Sequence, residues 1–310
     1  MVEPSDSDAV PAGASRCGFV ALIGAPNAGK STLLNRLIGA KVSIVTHKVQ
    51  TTRALVRGIA LRGNAQIVFV DTPGIFSPRR RLDTAMVRSA WSGAADADLV
   101  VLIADARKGL DEDARDIVAR LGDIARPKYL ALNKIDEMRR DKLLEISAQF
   151  NEAHAFAATF MISALTGDGV DDLFDAIAAA MPEGPWLYPE DQISDFPMRQ
   201  LAAEITREKL YLRLHQELPY ESHVETESWT EQKNGSVRVE QVIYVARDSQ
   251  KGIVLGKGGR TIREIGAAAR EELADILGQP VHLFLFVKVR ERWADDPERY
   301  RELGLDFPGD

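Results

Sequence analysis

The stretch Gly24–Ser31, GAPNAGKS, has two glycines, a lysine and a serine in the spacing GxxxxGKS, directly after the apolar run Phe19–Ile23. Glycines let backbone N–H groups converge on phosphate oxygens, and a helix beginning after the loop adds its positive end. Lys30 can reach the outer phosphates, and the Ser31 hydroxyl can bind Mg²⁺. The pattern therefore predicts a nucleoside-triphosphate site. The residues expected to contact the nucleotide in this loop are Asn27, Ala28, Gly29, Lys30, Ser31 and Thr32.

A second polar motif, NKID, indicates which base would bind, because Asn133, Lys134 and Asp136 directly follow an apolar run. The Asp136 carboxylate can accept hydrogen bonds from both the N1–H and the N2 amino group of guanine, and adenine has no such pair of donors. Asn133 can bridge two loops, and the stem of Lys134 can pack on the base. Ser163 and Ala164 end a later apolar run and are expected to present a backbone N–H to guanine O6, although a serine there is also a common turn former.

The motif DTPG, Asp71–Gly74, follows another apolar run. An acidic residue at this place can hold Mg²⁺ through a water molecule, and the N–H of Gly74 can donate to the γ-phosphate. The residue after the motif is Ile75, whose alkyl side chain cannot orient a water molecule.

The segments around these motifs alternate between short apolar runs and helix-length stretches as far as Met181. This alternation predicts an α/β P-loop NTPase domain over residues 18–181, with a doubly wound, mostly parallel sheet and helices on both faces. Leu55–Leu61 is a further candidate strand, and the proline-rich stretch 182–198 is predicted to be an interdomain linker. The predicted buried strands are Phe19–Ile23, Ile67–Val70, Leu99–Ala104, Tyr129–Leu132 and Thr159–Ile162.

The second half of the chain predicts a smaller α+β domain over residues 199–290, followed by a C-terminal tail at 291–310. A helical pattern spans Arg199–Leu218, and the alternating stretches His223–Glu231 and Val237–Val245 are separated by a hairpin signal, KNG. A glycine loop, a helix at Thr261–Leu277 and a strand at Val281–Val289 follow. The predicted order is α-β-β-α-α-β.

The glycine loop GKGG at 256–259 is a candidate RNA clamp. Lys251, Lys257, Arg260 and Arg263 lie within 251–263, and that stretch contains no acidic residue. The apolar residues Ile253 and Val254 are expected to line a groove for unstacked bases; the alternative is that the basic run is only a solvated start of a helix. Trp293 and Tyr300, further on, are interpreted as core residues rather than ligands. The predicted RNA-binding residues are Ile253, Gly256, Lys257, Gly258, Gly259 and Arg260.

Length and composition exclude several other classes of protein. The 310 residues are enough for about two domains, and the net charge of −7 argues against nucleic acid coating the whole surface. The single cysteine, Cys17, excludes an intramolecular disulfide and a cysteine-rich zinc site and suits a reducing compartment. No apolar run approaches the ~18–20 residues of a membrane span. Residues 1–17 are predicted to be a disordered tail.

Taken together, GAPNAGKS, VQTTR, DTPG, NKID and SAL resemble the translation-factor-related GTPases, above all the bacterial Era family, and the second half resembles a type II KH domain. In such families a threonine of the first switch closes on Mg²⁺. Thr52 is the preferred candidate here, with Thr51 the alternative. Ile75 stands where Ras-like enzymes have a water-positioning glutamine, which implies slow intrinsic hydrolysis. Asn27 matches an asparagine that accompanies K⁺ in some relatives, with plain loop capping as the alternative.

The resemblance also implies roles, partners and a location. Lys30, Thr52 and Gly74 would be the catalytic residues, and Ser31, Thr52 and Asp71 the Mg²⁺ ligands, with Asp71 acting through water. The cofactors would be GTP or GDP with Mg²⁺. The protein would be a cytoplasmic monomer that binds the 3′ region of 16S ribosomal RNA, assists maturation of the 30S subunit and contacts the inner membrane peripherally. The alternatives are a GTP-dependent signalling or cell-cycle switch that recruits a protein, and an RNA-modifying enzyme, for which the sequence contains no supporting constellation.

Overall fold

Two β-sheets organise the chain, in a computed structural model that describes residues 14–48, 50–78, 80–214, 218–291, 293 and 296–307. The larger sheet has the order β2-β3-β1-β4-β5-β6. Its neighbouring strands are parallel except for β2 and β3, which are antiparallel. The predicted α/β class with a mostly parallel sheet is therefore confirmed. The strands are β1 (Arg16–Ile23), β2 (Val56–Arg62), β3 (Ala65–Asp71), β4 (Leu99–Asp105), β5 (Lys128–Asn133) and β6 (Ala158–Ile162).

Helices cover both faces of this sheet, and for that reason every residue of β3 and β4 is buried. Along β1, Val20 and Leu22 face one core cluster while Ala21 and Ile23 face the other. Two helices, α1 (Lys30–Ile38) and α5 (Val170–Ala180), contribute to the first cluster. The second cluster contains residues of α2 (Arg81–Asp96), α3 (Glu112–Leu121) and α4 (Arg140–Ala153).

The sheet begins earlier than the sequence predicts. Strand β1 starts at Arg16, which pairs with Ala65 of β3, and the Arg16 guanidinium donates hydrogen bonds to the carbonyl oxygens of Ala179 at 2.8 Å and Met181 at 2.9 Å. The predicted disordered tail, residues 1–17, is thus wrong for Arg16 and Cys17, because backbone pairing and this anchor order them. Residues 1–13 of that tail lie outside the described residues.

The proline-rich stretch 182–198 packs along the first domain. Isolated bridges join Arg16 to Glu183 and Gly58 to Ser194. The side-chain carbonyl of Gln66 accepts hydrogen bonds from the backbone N–H groups of Leu187 at 2.8 Å and Tyr188 at 3.0 Å. The stretch 182–198 thus runs along the larger sheet and leads the chain to the second domain.

The second sheet has the order β7-β8-β9, with β8 antiparallel to β7 and parallel to β9. The order of elements is α-β-β-α-α-β, as predicted. The predicted first helix is too long, since α6 ends at Arg213 and Leu214 has an extended backbone; residues 215–217 lie outside the described residues. The elements are α6 (Met198–Arg213), β7 (Ser222–Glu231), β8 (Val237–Val245), α7 (Asp248–Leu255), α8 (Arg260–Leu277) and β9 (Val281–Val289).

The C-terminal segment, set apart as a tail from the sequence, packs against the first domain. It contains α9 (Pro297–Glu302). Trp293 and Tyr300 are only 3% and 1% exposed and share a core cluster with Leu82 and Met86 of α2. Their interpretation as core residues is confirmed. Among the helices described here, none combines the length and the apolar character needed to cross a lipid bilayer.

Candidate functional site

The loop between β1 and α1 has a backbone that requires glycine at two positions. Gly24 has a φ of +150° and Gly29 a φ of +105°. A Cβ at Gly24 would lie 2.2 Å from the carbonyl oxygen of Ile103, and one at Gly29 would lie 2.1 Å from Nδ2 of Asn133. Only glycine lets the loop fold this closely against β4 and β5, at the carboxyl end of the sheet where α/β proteins bind ligands.

Lys30 places a positive charge across this loop. The side chain is buried, and its ammonium group donates hydrogen bonds to the carbonyl oxygens of Gly24 at 3.0 Å and Ala25 at 3.1 Å. Burial lowers the pKa of Lys30 to about 8, against a smaller opposing effect of Asp71. A nearby anion would favour the charged form.

Asp71 ends β3 as a fully buried carboxylate that three hydroxyl groups contact. Its Oδ2 accepts hydrogen bonds from Ser31 at 2.6 Å, Ser43 at 2.9 Å and Thr52 at 3.4 Å. Its Oδ1 is buried and has no hydrogen-bond partner among the described residues. Burial raises the pKa of Asp71, while Lys30 and the three hydroxyls lower it in part. A buried set of oxygens with one unused carboxylate oxygen fits a hard cation such as Mg²⁺.

The two candidate threonines have different surroundings. Thr52 Oγ1 lies 3.0 Å from Oγ of Ser31, whereas Thr51 Oγ1 contacts Oγ1 of Thr46 at 2.6 Å and donates to the carbonyl oxygen of Lys48 at 2.6 Å. The structure thus brings Thr52, and not Thr51, to Ser31 and Asp71. Ser43 also reaches Asp71, and sequence reasoning missed it because no motif marks it.

Asn133 bridges two loops at the end of β5. Its Nδ2 donates to the carbonyl oxygen of Ala28 at 2.7 Å, and its Oδ1 accepts from the backbone N–H of Ala164 at 2.9 Å. The bridging expected from the sequence is therefore present. Ser163 is fully buried, and its hydroxyl accepts from the N–H of Thr166 at 3.1 Å, the arrangement of a turn former. The N–H of Ser163 donates to the carbonyl oxygen of Asp168 at 2.9 Å and that of Ala164 to Asn133, so neither N–H is presented to a base as expected.

A cluster of charged side chains, which the sequence did not predict, lies at the same carboxyl end of the sheet. The carboxylate of Asp105, at the end of β4, contacts Lys134 at 2.8 Å and Arg107 at 2.6 Å. Burial raises the pKa of Asp105, but the hydrogen bonds from Arg107 and Lys134 outweigh it, so the pKa falls to about 2. The Lys134 ammonium also donates to the carbonyl oxygen of Asn27 at 2.6 Å. The lysine is thereby held across the glycine loop.

Most of the predicted nucleotide residues line one cavity of about 300 Å³. Ala28, Asp71 and Ser163 are not on its wall but are buried behind it. Asp136 is exposed at the cavity, so a base bound there would have to bury it. The predicted residues on the wall are Asn27, Gly29, Lys30, Ser31, Thr32, Thr52, Gly74, Asn133, Lys134, Asp136 and Ala164.

The last residue of the DTPG motif and the residue after it differ in their surroundings. Gly74 lines the cavity, while Ile75 is buried in the core beside α2 and donates its backbone N–H to the carbonyl oxygen of Gly24 at 3.0 Å. Asn27, on the opposite loop, donates its side-chain amide to the carbonyl oxygen of His47 at 2.8 Å. The 41–53 segment, which is described except for residue 49, contributes His47, Lys48 and Thr52 to the wall and therefore closes one side of the cavity.

The second predicted site lies at the GKGG loop, between α7 and α8. Lys257, Gly258 and Arg260 are exposed, and Ile253 is 56% exposed. Val254, in contrast, is fully buried in the domain core, so the expectation that it lines a groove is wrong: its face of α7 packs inward.

Two of the basic side chains near this loop already have partners. The Arg263 guanidinium donates to the carbonyl oxygens of Gly258 at 2.8 Å and Gly259 at 3.1 Å, so it supports the loop from within. Arg260 pairs with Glu264 at 2.9 Å across one turn of α8. The exposed backbone of the loop and Lys257 remain accessible to a phosphate chain.

Comparisons with known proteins agree with both halves of this arrangement. The family model described as 50S ribosome-binding GTPase matches residues 19–134, and a KH domain model matches residues 217–294. GTPase Era of Sinorhizobium medicae is 70% identical over 294 residues, which is 95% of each chain. GTPase Era of Rhizobium meliloti is 67% identical over 308 residues, 99% of this chain and 98% of the relative.

Solved structures give the same result. A crystal structure of Era in complex with MgGDPNP and nucleotides 1506–1542 of 16S ribosomal RNA superposes with a TM-score of 0.89 at 38% identity, over 94% of this chain and 99% of that one. A variant of Aquifex aeolicus Era bound to GDP.AlF4⁻ also gives a TM-score of 0.89 at 38% identity, over 93% of this chain and 99% of that one. The chain therefore belongs to the Era family of GTPases, with a GTPase domain followed by a KH domain.

Proposed function

We propose that this protein is a slow GTP-hydrolysing switch that binds the 3′ region of 16S ribosomal RNA and assists maturation of the 30S subunit in the cytoplasm. The observation that carries the proposal is the position of the 41–53 segment. It lines the nucleotide cavity through Thr52, and on its other side it contacts α6 of the KH domain, where the Val45 N–H donates to Glu208 at 2.8 Å. A segment shared in this way can report the bound nucleotide to the RNA-binding half.

In this proposal the loop of Gly24–Ser31 binds the phosphates of GTP, with Lys30 on the outer two, and the Gly74 N–H donates to the γ-phosphate. Asp136 selects guanine. Ser31, Thr52 and, through water, Asp71 would hold Mg²⁺, which neutralises phosphate charge when bound. The complex of a relative with MgGDPNP supports Mg²⁺ and a guanine nucleotide as the groups that this site binds.

The proposed hydrolysis is slow because Ile75, the residue directly after the DTPG motif, cannot position water. Ile75 is 7% exposed and packs in the core beside α2, so it has neither a polar group nor access to the cavity. Slow hydrolysis suits a timer, in which loss of the γ-phosphate releases the 41–53 segment.

Nucleotide affinity is expected to fall as the pH rises through about 8. Lys30 must be charged to pair with phosphate, and burial lowers its pKa to about 8 in the protein without nucleotide. The charged form is complete below this pH and is lost above it, so the affinity for GDP should drop about tenfold between about pH 7 and about pH 9. Titration calorimetry across this range measures the effect. An affinity that changes less than about twofold between about pH 7 and about pH 9, as for an ordinary lysine, contradicts this role of Lys30.

The experiment that tests the proposed function measures binding of an RNA with the 3′ sequence of 16S ribosomal RNA. With a nonhydrolysable GTP analogue bound, the protein is expected to bind this RNA about tenfold more tightly than with GDP. The double change Lys257→Glu and Arg260→Glu reverses two exposed charges at the GKGG loop. It should abolish RNA binding and leave GTP affinity intact, because phosphate contacts supply much of the affinity for RNA.

A matched control places the same change of charge elsewhere in the domain. Lys233, in the hairpin, and Arg270, further along α8, are both exposed and lie outside the loop. Changing both to glutamate should lower RNA affinity no more than a few-fold at constant salt. If the two double variants bind RNA equally well, the loop is not the RNA site. If wild type binds the RNA alike in every nucleotide state, the proposed switch is overturned; if wild type does not bind the RNA at all, the alternative of a protein-recruiting switch is favoured.

A further inference from the structure

The KH domain holds the backbone directly before Thr52. The Arg207 guanidinium, on α6, donates hydrogen bonds to the carbonyl oxygen of Gln50 at 3.3 Å and to that of Thr51. Arg207 is only 1% exposed. Two successive peptide groups of the 41–53 segment are therefore fixed by one side chain from the other domain.

Arg207 is itself fixed within α6. Its Nε donates to Oε1 of Glu204 at 2.8 Å, and a second contact joins its Nη2 to the other carboxylate oxygen. The guanidinium also lies 5.0 Å from the centre of the Tyr211 ring. Each of the three guanidinium nitrogens donates a hydrogen bond. The planar group is therefore held in one orientation, in which it supports both carbonyls.

The residue after Thr52 is held by the same domain. Arg53 is 1% exposed and donates to the carbonyl oxygen of Ser222 at 2.9 Å and to the hydroxyl of Tyr211 at 2.8 Å. Thr52 thus lies between a backbone contact before it, made by Arg207, and a side-chain contact after it, made by Arg53. Both contacts lead to the KH domain, whereas the Thr52 hydroxyl points to Ser31, 3.0 Å away in the GTPase domain.

We propose that Arg207 is a positioning residue for GTP hydrolysis: it acts from the KH domain and sets the place of the Thr52 hydroxyl in the Mg²⁺ site. The inference deepens the proposed function and rests on it. A hydroxyl that is already placed loses less freedom when the metal binds, and small displacements of such groups have large effects on rate. The GTPase site is therefore completed by a residue outside the GTPase domain.

The test compares wild type with Arg207→Lys, in which the charge facing Glu204 is retained but the compact ammonium cannot reproduce the planar fork that holds Glu204 and both carbonyls at once. The Mg²⁺ concentration that gives half-maximal binding of a nonhydrolysable GTP analogue should rise about tenfold, and kcat should fall about tenfold. Affinity for GDP without Mg²⁺ should change less than about twofold, since Thr52 then has no metal to bind. Amide exchange at residues 50–53 should become faster.

The matched control is Lys41→Met at a different contact between the same two domains. Lys41 pairs with Glu208 at 2.7 Å and with Glu272, so its loss weakens the contact between the domains without touching the peptide groups beside Thr52. It should leave the Mg²⁺ dependence and the exchange at 50–53 within about twofold of wild type. Glu204→Gln, which keeps Arg207 but weakens its anchor, should give a smaller shift in the direction of Arg207→Lys.

The outcomes separate the inference from the proposed function. If Arg207→Lys and Lys41→Met alter the Mg²⁺ dependence equally, or if neither does, Arg207 only joins the domains and the inference is overturned. If wild type binds no GTP analogue, the proposed function fails. In that case, amide exchange of the nucleotide-free protein still tests whether Arg207 holds the segment. If the exchange rate at residues 50–53 is the same in Arg207→Lys as in wild type, the inference is overturned.

Discussion

Replacing Asp136 with asparagine is expected to change the preferred nucleotide from GTP to xanthosine triphosphate. In the proposed site the carboxylate would accept two hydrogen bonds from guanine, and each charge-assisted bond of this kind contributes about 1.5–3 kcal/mol. An amide in its place can donate to the 2-oxo group of xanthine but would face a guanine donor with its own N–H₂. GTP affinity should fall by about 3 kcal/mol, or ~150-fold, while affinity for the xanthine nucleotide rises. Competition between the two triphosphates for the protein measures the change directly.

The control for this change is Asp141→Asn. Asp141 is exposed, pairs with Arg139 at 2.8 Å and does not line the cavity. Removing its charge should leave GTP affinity within about twofold, because an exposed pair of this kind contributes little. Retention of the guanine preference in Asp136→Asn would mean that another group reads the base, and the assignment of Asp136 would be wrong.

Replacing Gly29 with alanine is expected to abolish binding of both GTP and GDP. The added Cβ would lie 2.1 Å from Nδ2 of Asn133, and the φ of +105° is one that alanine rarely adopts. Asn133 would have to move, which breaks its hydrogen bonds to Ala28 and Ala164 and opens the phosphate loop. The affinity for both nucleotides should fall at least ~100-fold. Equilibrium titration with a fluorescent GDP measures it.

The control variant Gly39→Ala separates the steric clash with Asn133 from the effect of backbone strain. Gly39 also has a positive φ, +74°, but a Cβ there meets nothing within 4 Å. The change should cost about 1 kcal/mol of stability and leave nucleotide affinity unaltered. Thermal unfolding of both variants shows whether each is folded. Normal GDP binding by a folded Gly29→Ala would exclude this loop as the phosphate site.

The sequence alone was sufficient for the features that depend on short spacing. The glycine loop, the NKID motif and the DTPG motif each consist of neighbouring residues, and each follows an apolar strand whose carboxyl end the parallel sheet brings to the same edge. The sequence also predicted the strand that begins near Leu55 and the α-β-β-α-α-β order of the second half, because hydrophobic periodicity depends on local structure.

Only the tertiary structure distinguished Thr52 from Thr51, because adjacent residues of one loop differ in which way they face and not in type. It likewise placed Ser43 on Asp71, buried Val254 and packed Trp293 against the first domain. These facts depend on contacts between residues far apart in the chain, and no local pattern encodes such contacts.

The support that Arg207 gives to the 41–53 segment is also a contact between residues far apart in the chain. An arginine on the buried side of α6 is an exception to the apolar stripe in the sequence, and the two carbonyl oxygens that it holds lie in the other domain. A buried charge is stable only when folding supplies it with partners, and those partners come from the whole fold. The sequence thus determined the chemistry of the nucleotide site, and the packing of the two domains decided which side chains hold it in place.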